Sequence, residues 1–383
     1  MRQRVAVIGV GTIGSQVLWQ LSKRDCEVTG YELFSPGHSK GAAGGETRLF
    51  RTLELEDMRY NPVVDRADEI WKDLAATSGR ELREITGSLV MGDQDSPGMR
   101  TALEGVAQNG REYRVYSRED ALKAFPQFAL DDNDITVWDR DGGIIKPELT
   151  VNTAAALAEA NGATILRATR VECVDQREDG TVLVTTDGET REFDRVVVAS
   201  GAWTAKVLPD MIDVFHMRRL VSVWFFGKQP GCLDDFLPYL RTEPAYSYGL
   251  PVPDRSAVKI GLGFPNHLPI DCPDGAPLDV AEDDLRPFID HAARYLPVLD
   301  SYPMRISTFF EGYTDDRHEY AQPHPRMDNV FVMAGFSGHG FKMSPAMGEV
   351  GADWATGTTP HVDTTFLHRE HTPLVEVPEP SMA

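Results

Sequence analysis

Residues 5–32, VAVIGVGTIGSQVLWQLSKRDCEVTGYE, leave a chain few folds to choose from. The unbroken apolar run Val5 to Ile8 suits a strand buried on both faces. Gly9, Gly11 and Gly14 then fit G-x-G-x-x-G. The first permits the sharp turn, the second lets backbone approach a pyrophosphate, and the third lets helix lie close on strand. Ile13, Val17, Leu18 and Leu21 share one face of the ensuing helix, so that face packs on the sheet. The first amides of that helix, at Thr12 and Ile13, sit at its positive end and suit phosphate. Glu32 follows the second strand where an acid is needed to accept ribose hydroxyls, and it would repel a ribose phosphate. NADP is thereby disfavoured; NAD and FAD both stay open, as does a purely structural glycine turn.

A chain of 383 residues is long enough for two lobes. Its net charge of −21 opposes nucleic acid and anionic membranes, although solubility alone accounts for such a charge equally well. No run of about 18 apolar residues suggests a membrane span. The chain enters its first strand at once, leaving no room for a signal peptide. Cys26, Cys173, Cys232 and Cys272 show neither C-x-x-C pairing nor metal spacing. A reducing, cytoplasmic setting without a metal site is expected.

Further along, 33–51 is too glycine-rich for a regular element and reads as a loop that wraps a cofactor. Asn61 and Pro62 read as the cap and first turn of a helix. Residues 80–142 mix short strands (88–91, 113–116) with a helix near 117–125. A helix opens at Lys146-Pro147-Glu148 and strands follow at 164–166, 171–175, 182–186 and 195–200. The last of these, in RVVVASGAW, reads as a strand that returns to the first sheet beneath the cofactor. Residues 214–322 look mainly antiparallel, with one helix around Leu285 to Leu296. Asn329 to Ala334 is again a buried strand, and GFSGHGFKMSPAMGEVGADW feeds a last helix with Ser344 as cap and Pro345 in its first turn. The tail beyond Gly357 is expected to wrap the surface or fray. Segments 1–82, 143–213 and 323–383 thus form a discontinuous cofactor domain, while 83–142 and 214–322 form a substrate domain. A nicotinamide enzyme rarely needs such interleaving; a flavoenzyme that buries FAD along its length does.

VIGVGTIG, SPGHSKGAAGGETRLFR, VVVASGAW, AVKIG and GFSGHGFKMSPAMGE occur in register over essentially the whole chain. In this the chain resembles the monomeric sarcosine oxidase and N-methyltryptophan oxidase family, within the D-amino-acid-oxidase-like flavoenzymes. The resemblance implies an α/β plus α+β fold, with a Rossmann-like FAD-binding domain of the glutathione-reductase type and a catalytic domain on an antiparallel sheet. It also implies oxidation of small, usually N-alkylated amino acids by FAD and dioxygen, giving an imine and hydrogen peroxide, in a monomer. Carried over by motif, Arg51 and Lys342 correspond to the pair that binds the substrate carboxylate. Arg48 faces the other side of the flavin, and Lys259 lies over flavin N5 to activate oxygen. His339 and Tyr248 stand near flavin and substrate. The motifs further place Gly9, Gly11, Thr12, Ile13, Gly14, Glu32, His38, Ser39, Gly44, Thr47, Arg48, Val171, Gly201, Trp203, Gly338, Gly340, Phe341 and Lys342 around the cofactor. Plainer readings exist: a surface arginine for Arg51, a helix-capping lysine for Lys342, an edge-strand lysine for Lys259, a structural histidine for His339, and a core tyrosine for Tyr248.

Several positions depart from the family. Phe309 stands where a cysteine usually tethers FAD, and no cysteine follows Cys272, so FAD is expected to be non-covalent. Glu311 replaces a pocket tyrosine, and Gly44 and Gly263 each replace a histidine. These changes point to an amino or imino acid other than plain sarcosine, one whose donor or cation Glu311 recognises; a solvated or structural glutamate is the alternative. No side chain stands out as an obligatory base, since hydride transfer needs only a neutral amine, and nearby cations lower the amine pKa. The competing function is a flavin dehydrogenase of amino or 2-hydroxy acids that passes electrons to another acceptor. A flavoprotein scaffold without turnover is a third class.

Overall fold

The structure is a computed structural model and describes residues 2–108, 110–370 and 372–374. Strand β1 (Gln3–Ile8), helix α1 (Thr12–Ser22) and strand β2 (Cys26–Tyr31) form the opening unit. β1 pairs in parallel with β2 on one side and with Arg195–Val198 on the other. Met327–Ala334 continues the sheet in parallel, with Thr164–Leu166 and Tyr320–His324 at its edges. The sheet is therefore assembled from the beginning, middle and end of the chain.

The apolar runs explain that centre. Val5, Val7 and Val197 join one core, under α1 and the helices Pro147–Ala160 and Ser344–Thr356. Ala6, Ile8, Val196 and Val198 point the other way, into a core shared with the small sheet of Val171–Gln176, Val182–Thr186 and Glu189–Phe193. Period-two alternation buries both faces, and each such valine contributes about 1.5–3 kcal/mol. At Gly14 an added Cβ would stand 1.8 Å from the Gly9 carbonyl oxygen, so only glycine lets α1 settle on the turn.

A nine-stranded sheet builds the second half. Its long strand His216–Phe226 pairs antiparallel with Ala257–Leu262 and with Arg305–Tyr313. Ser247–Pro251, Tyr239–Arg241, Ser88–Asp93, Asp134–Asp139 and Tyr113–Tyr116 extend it. One neighbouring pair, Tyr239–Arg241 with Ser88–Asp93, runs parallel. Helix Glu282–Tyr295 covers one face through Leu285, Phe288 and Ala292.

Local expectations fail where few residues carry the signal. Arg48–Phe50, within the expected loop, is a strand paired with Gly143–Ile145, which also pairs with Arg83–Ile85. Three residues are too short to show a period. Asn61 is not the cap: the helix Asn61–Ser78 continues from a single turn, Met58–Tyr60, and the Asn61 Oδ1 has no partner. Ser344 is likewise the first helical residue, its Oγ unpartnered, with Met343 at the cap position. Helix Pro97–Gln108 and strand Asp134–Asp139 lie in the segment read only as mixed. The tail does wrap as far as it is described: Phe366 packs edge-on against Tyr60, and Thr372 meets the Tyr320 hydroxyl at 3.1 Å; 375–383 lie outside the described residues. No described helix is long and apolar enough to cross a membrane.

Candidate active site

A cavity of about 670 Å³ opens at the carboxyl ends of the central parallel strands, where Gly9, Ser200 and Gly335 line it. Open α/β sheets place ligands there. Leu220, Tyr248, Leu262 and Phe309 close it from the second sheet.

Gly9, Gly11, Thr12, Ile13, Glu32, His38, Val171, Gly201 and Trp203 line one stretch. No side chain caps α1, and the buried Thr12 Oγ1 has no partner. A Cβ added to Gly11 would meet nothing within 4 Å, so open space lies directly over this backbone. Glu32 is held by the amides of Val10 (2.9 Å, to Oε2) and Phe34 (2.8 Å, to Oε1). Burial raises its carboxyl, and these two amides oppose the rise. Burial, with Lys40 nearby, pushes His38 down to about 4. His38 is therefore neutral, and because its Nδ1 accepts the Lys40 amide, its proton sits on Nε2, 3.6 Å from Glu32. Trp203 packs edge-on to Phe34 and donates to Asp274.

Five of the expected residues stand behind the wall rather than on it: Gly14, Ser39, Gly44, Thr47 and Lys259. Lys259 is not on an edge; its strand runs between two others and its side chain is fully buried. Its ammonium donates to the carbonyls of Gly45 (2.9 Å) and Thr47. On the opposite side the Glu148 carboxylate accepts the amides of Gly45 (2.6 Å) and Glu46 (3.0 Å). The turn at Gly45, whose φ is +99°, is thus clamped from both sides. Burial, reinforced by Arg48, holds Lys259 well below the usual lysine range.

At the other end Arg48, Arg51, His339 and Lys342 come together on the cavity wall. Arg48 donates to the carbonyls of Thr47 (2.9 Å) and Ala42 (2.8 Å). Arg51 is buried rather than a surface residue. Its Nη2 donates to both oxygens of Glu56 at 2.6 Å, and its Nη1 to the Leu53 carbonyl. Lys342 is equally buried and lies 2.8 and 2.9 Å from the two oxygens of Glu54. Burial raises the Glu54 carboxyl against the pull of Lys342 and Arg51; for Glu56 the same two cations overcome burial and hold it well below the normal range. His339 lies 3.4 Å from the buried Glu319, which accepts the Tyr60 hydroxyl at 2.6 Å. Burial alone would lower His339, but the Glu319 contact wins and raises it.

Glu311 lines the cavity with Tyr248 and accepts the Gly338 amide at 2.9 Å. Burial raises its carboxyl, with Arg48 opposing. Gly338, Gly340 and Phe341 also line the wall. The Phe309 ring fills the space beside Gly44, where an added Cβ would stand 2.8 Å from its Cε1. Gly263 makes similar room for Tyr246. None of the described cysteines lines the cavity.

The sequence reading missed Glu54, Glu56, Tyr60, Glu148 and Glu319. Each is a polar residue in a short connection or at an element end, where no period marks an inward-facing position. The alternation in Thr52-Leu53-Glu54-Leu55-Glu56 was the one available signal.

The open glycine turn, the unpartnered Thr12 hydroxyl and the acid at Glu32 together fit the pyrophosphate and ribose of a dinucleotide. The model of the FAD dependent oxidoreductase family matches residues 4–354. A monomeric sarcosine oxidase of Streptomyces avermitilis is 29% identical over 93% of this chain and 94% of its own. An N-methyl-L-tryptophan oxidase of Citrobacter koseri is 26% identical over 95% and 98%. Among solved structures, NikD, described as an unusual amino acid oxidase essential for nikkomycin biosynthesis, superposes with a TM-score of 0.83 at 22% identity, over 98% of this chain and 99% of its own. The L-proline dehydrogenase of P. horikoshii gives 0.83 at 21%, over 96% of each. These two share the fold.

Proposed function

This chain belongs to the FAD-dependent oxidoreductase family, and we propose that it oxidises a small amino acid at a C–N bond, with a secondary or cyclic amine as the preferred group and dioxygen as electron acceptor. The observation that carries the reading is a single cavity with a dinucleotide-binding turn at one end and two buried basic side chains, Arg51 and Lys342, at the other. FAD bound there would accept the hydride from the carbon next to nitrogen and pass the electron pair to dioxygen, giving an imine and hydrogen peroxide.

The protein's part is placement and charge. Gly9, Gly11 and the first amides of α1 hold the pyrophosphate, and Glu32 accepts from the ribose. Arg51 and Lys342 orient the substrate through its carboxylate. Arg48, hydrogen-bonded to carbonyls, helps keep the amine in its neutral form. Glu311 lies on the same wall and selects a substrate with a donor or cation of its own. Segments 1–82, 143–213 and 323–383 serve the cofactor and 83–142 and 214–322 the substrate. Phe309 in the tethering position supports non-covalent FAD.

A dehydrogenase is the second reading. What favours it is the position of Lys259, whose ammonium is taken up by two loop carbonyls behind the cavity wall. The test is a screen of N-methyl, cyclic imino and primary amino acids against the purified holoenzyme without oxygen. Bleaching of the flavin by one class is expected, and failure of all three overturns the proposal. Admitting air then decides the acceptor: recolouring within seconds with one peroxide per flavin supports the oxidase, and slow recolouring supports the dehydrogenase.

A further inference from the structure

The anion-binding end already holds its own anions. Arg51 and Lys342 supply two positive charges and Glu54 and Glu56, when ionised, two negative ones, so these four side chains sum to zero before any ligand enters. The two glutamates are not equivalent. Glu56 keeps 24% of its side chain exposed and lies on the rim, where it can turn outward. Glu54 is fully buried; both of its oxygens lie on Lys342, and Oε1 is 3.9 Å from Arg51 Nη1. An ionised carboxylate in such a place cannot leave without breaking a buried pair.

We propose that Glu54 is a specificity-determining residue: a permanent counter-ion to Lys342 that reduces a two-cation clamp to one anion seat, shared in turn by Glu56 and a ligand carboxylate. This rests on the reading of Arg51 and Lys342 as the carboxylate-binding pair. When a ligand carboxylate enters and Glu56 turns out, Arg51 and Lys342 face Glu54 and the ligand, and the site stays neutral. A second acid group on the ligand finds no cation, and a buried unpaired charge is costly. The site accordingly selects monocarboxylates and rejects dicarboxylates. Tyr60 also faces Glu54 and is neutral, because burial first and the nearby carboxylates next push its hydroxyl up.

The sign of one mutational effect separates this role from a merely structural one. A residue that only orients Lys342 weakens carboxylate binding when it is lost; a counter-ion strengthens it. The dissociation constants of propionate and malonate are read from perturbation of the flavin spectrum in the holoenzyme at pH 8. In Glu54→Gln, propionate is expected to bind at least tenfold more tightly and malonate to gain more still. The wild type provides a second test that does not depend on folding of the variant: one seat binds malonate no more tightly than propionate. Unchanged or weaker propionate binding in Glu54→Gln, or malonate binding tenfold tighter than propionate in the wild type, overturns the proposal while leaving the carboxylate site in place. If neither acid perturbs a flavin that amino acids bleach, the reading of Arg51 and Lys342 falls and the proposal falls with it.

Discussion

At the level of single side chains, neighbouring residues of the cavity wall fit one another in size. The Phe309 ring lies where a side chain at Gly44 would stand, so a smaller residue at 309 alone would leave a hole there. With no cysteine on the cavity wall, acid precipitation is expected to release all the yellow colour into the supernatant; colour kept in the pellet contradicts non-covalent binding. Glu311 lines the same cavity. In Glu311→Gln the KM of the true substrate is expected to rise about tenfold, the loss of one charge-assisted contact, with kcat little changed; identical kinetics would dismiss a recognition role. His339 and Glu319 titrate as a pair. His339 is raised from 6.5, so its share of stability is complete below that pH and is lost as pH rises through its folded value. Glu319 is lowered from 4.5, so its share is present above that pH and lost in acid. The gap in melting temperature between wild type and Glu319→Gln should therefore be widest between these values, equivalent to about 3 kcal/mol for a broken buried pair, and should narrow as pH rises through the folded value of His339. A gap constant across that range would show that the pair is not ionised.

At the level of elements, the glycine loop before Arg48 depends on distant partners for its shape. Glu148 from one helix and Lys259 from the second sheet hold the Gly45 peptide by its amide and its carbonyl. The sequence made the loop legible as a loop but concealed both clamps, because a glutamate in the first turn of a helix reads as dipole complementation. Gly45→Ala would place a Cβ 3.1 Å from the Phe309 ring at φ +99°. The expected cost is about 1–3 kcal/mol, seen as a lower melting temperature and weaker FAD retention. Glu148→Gln removes the negative charge from the one oxygen that accepts both amides and is expected to loosen FAD without removing Lys259 from its strand. The elements that were legible are those with long periods: α1, the helices at 147–160 and 282–295, and the strands whose residues are all apolar. Arg48–Phe50 and Glu189–Phe193 were not, the first for its brevity and the second because one of its five residues is buried.

At the scale of the molecule, the central sheet was legible because its strands are apolar on both faces wherever they fall in the chain, and that pattern is independent of sequence distance. The glutamates paired with Arg51 and Lys342 were not legible, because a glutamate's partners are set by tertiary contacts between segments some 290 residues apart, as for Glu54 and Lys342. The same long-range stitching makes cofactor and fold interdependent. Cavity walls come from both large sheets, so FAD bound there would contribute stability by mass action, about 2.7 kcal/mol at a hundredfold excess over its Kd. Stripping FAD from the protein is expected to lower the melting temperature by several degrees, and returning it should restore the value in proportion to the logarithm of its concentration. That slope is the discriminating quantity. A non-covalent cofactor gives one, whereas a tethered cofactor gives a melting temperature indifferent to added FAD, and a binding site confined to the first sheet would leave the unfolding of the second unchanged.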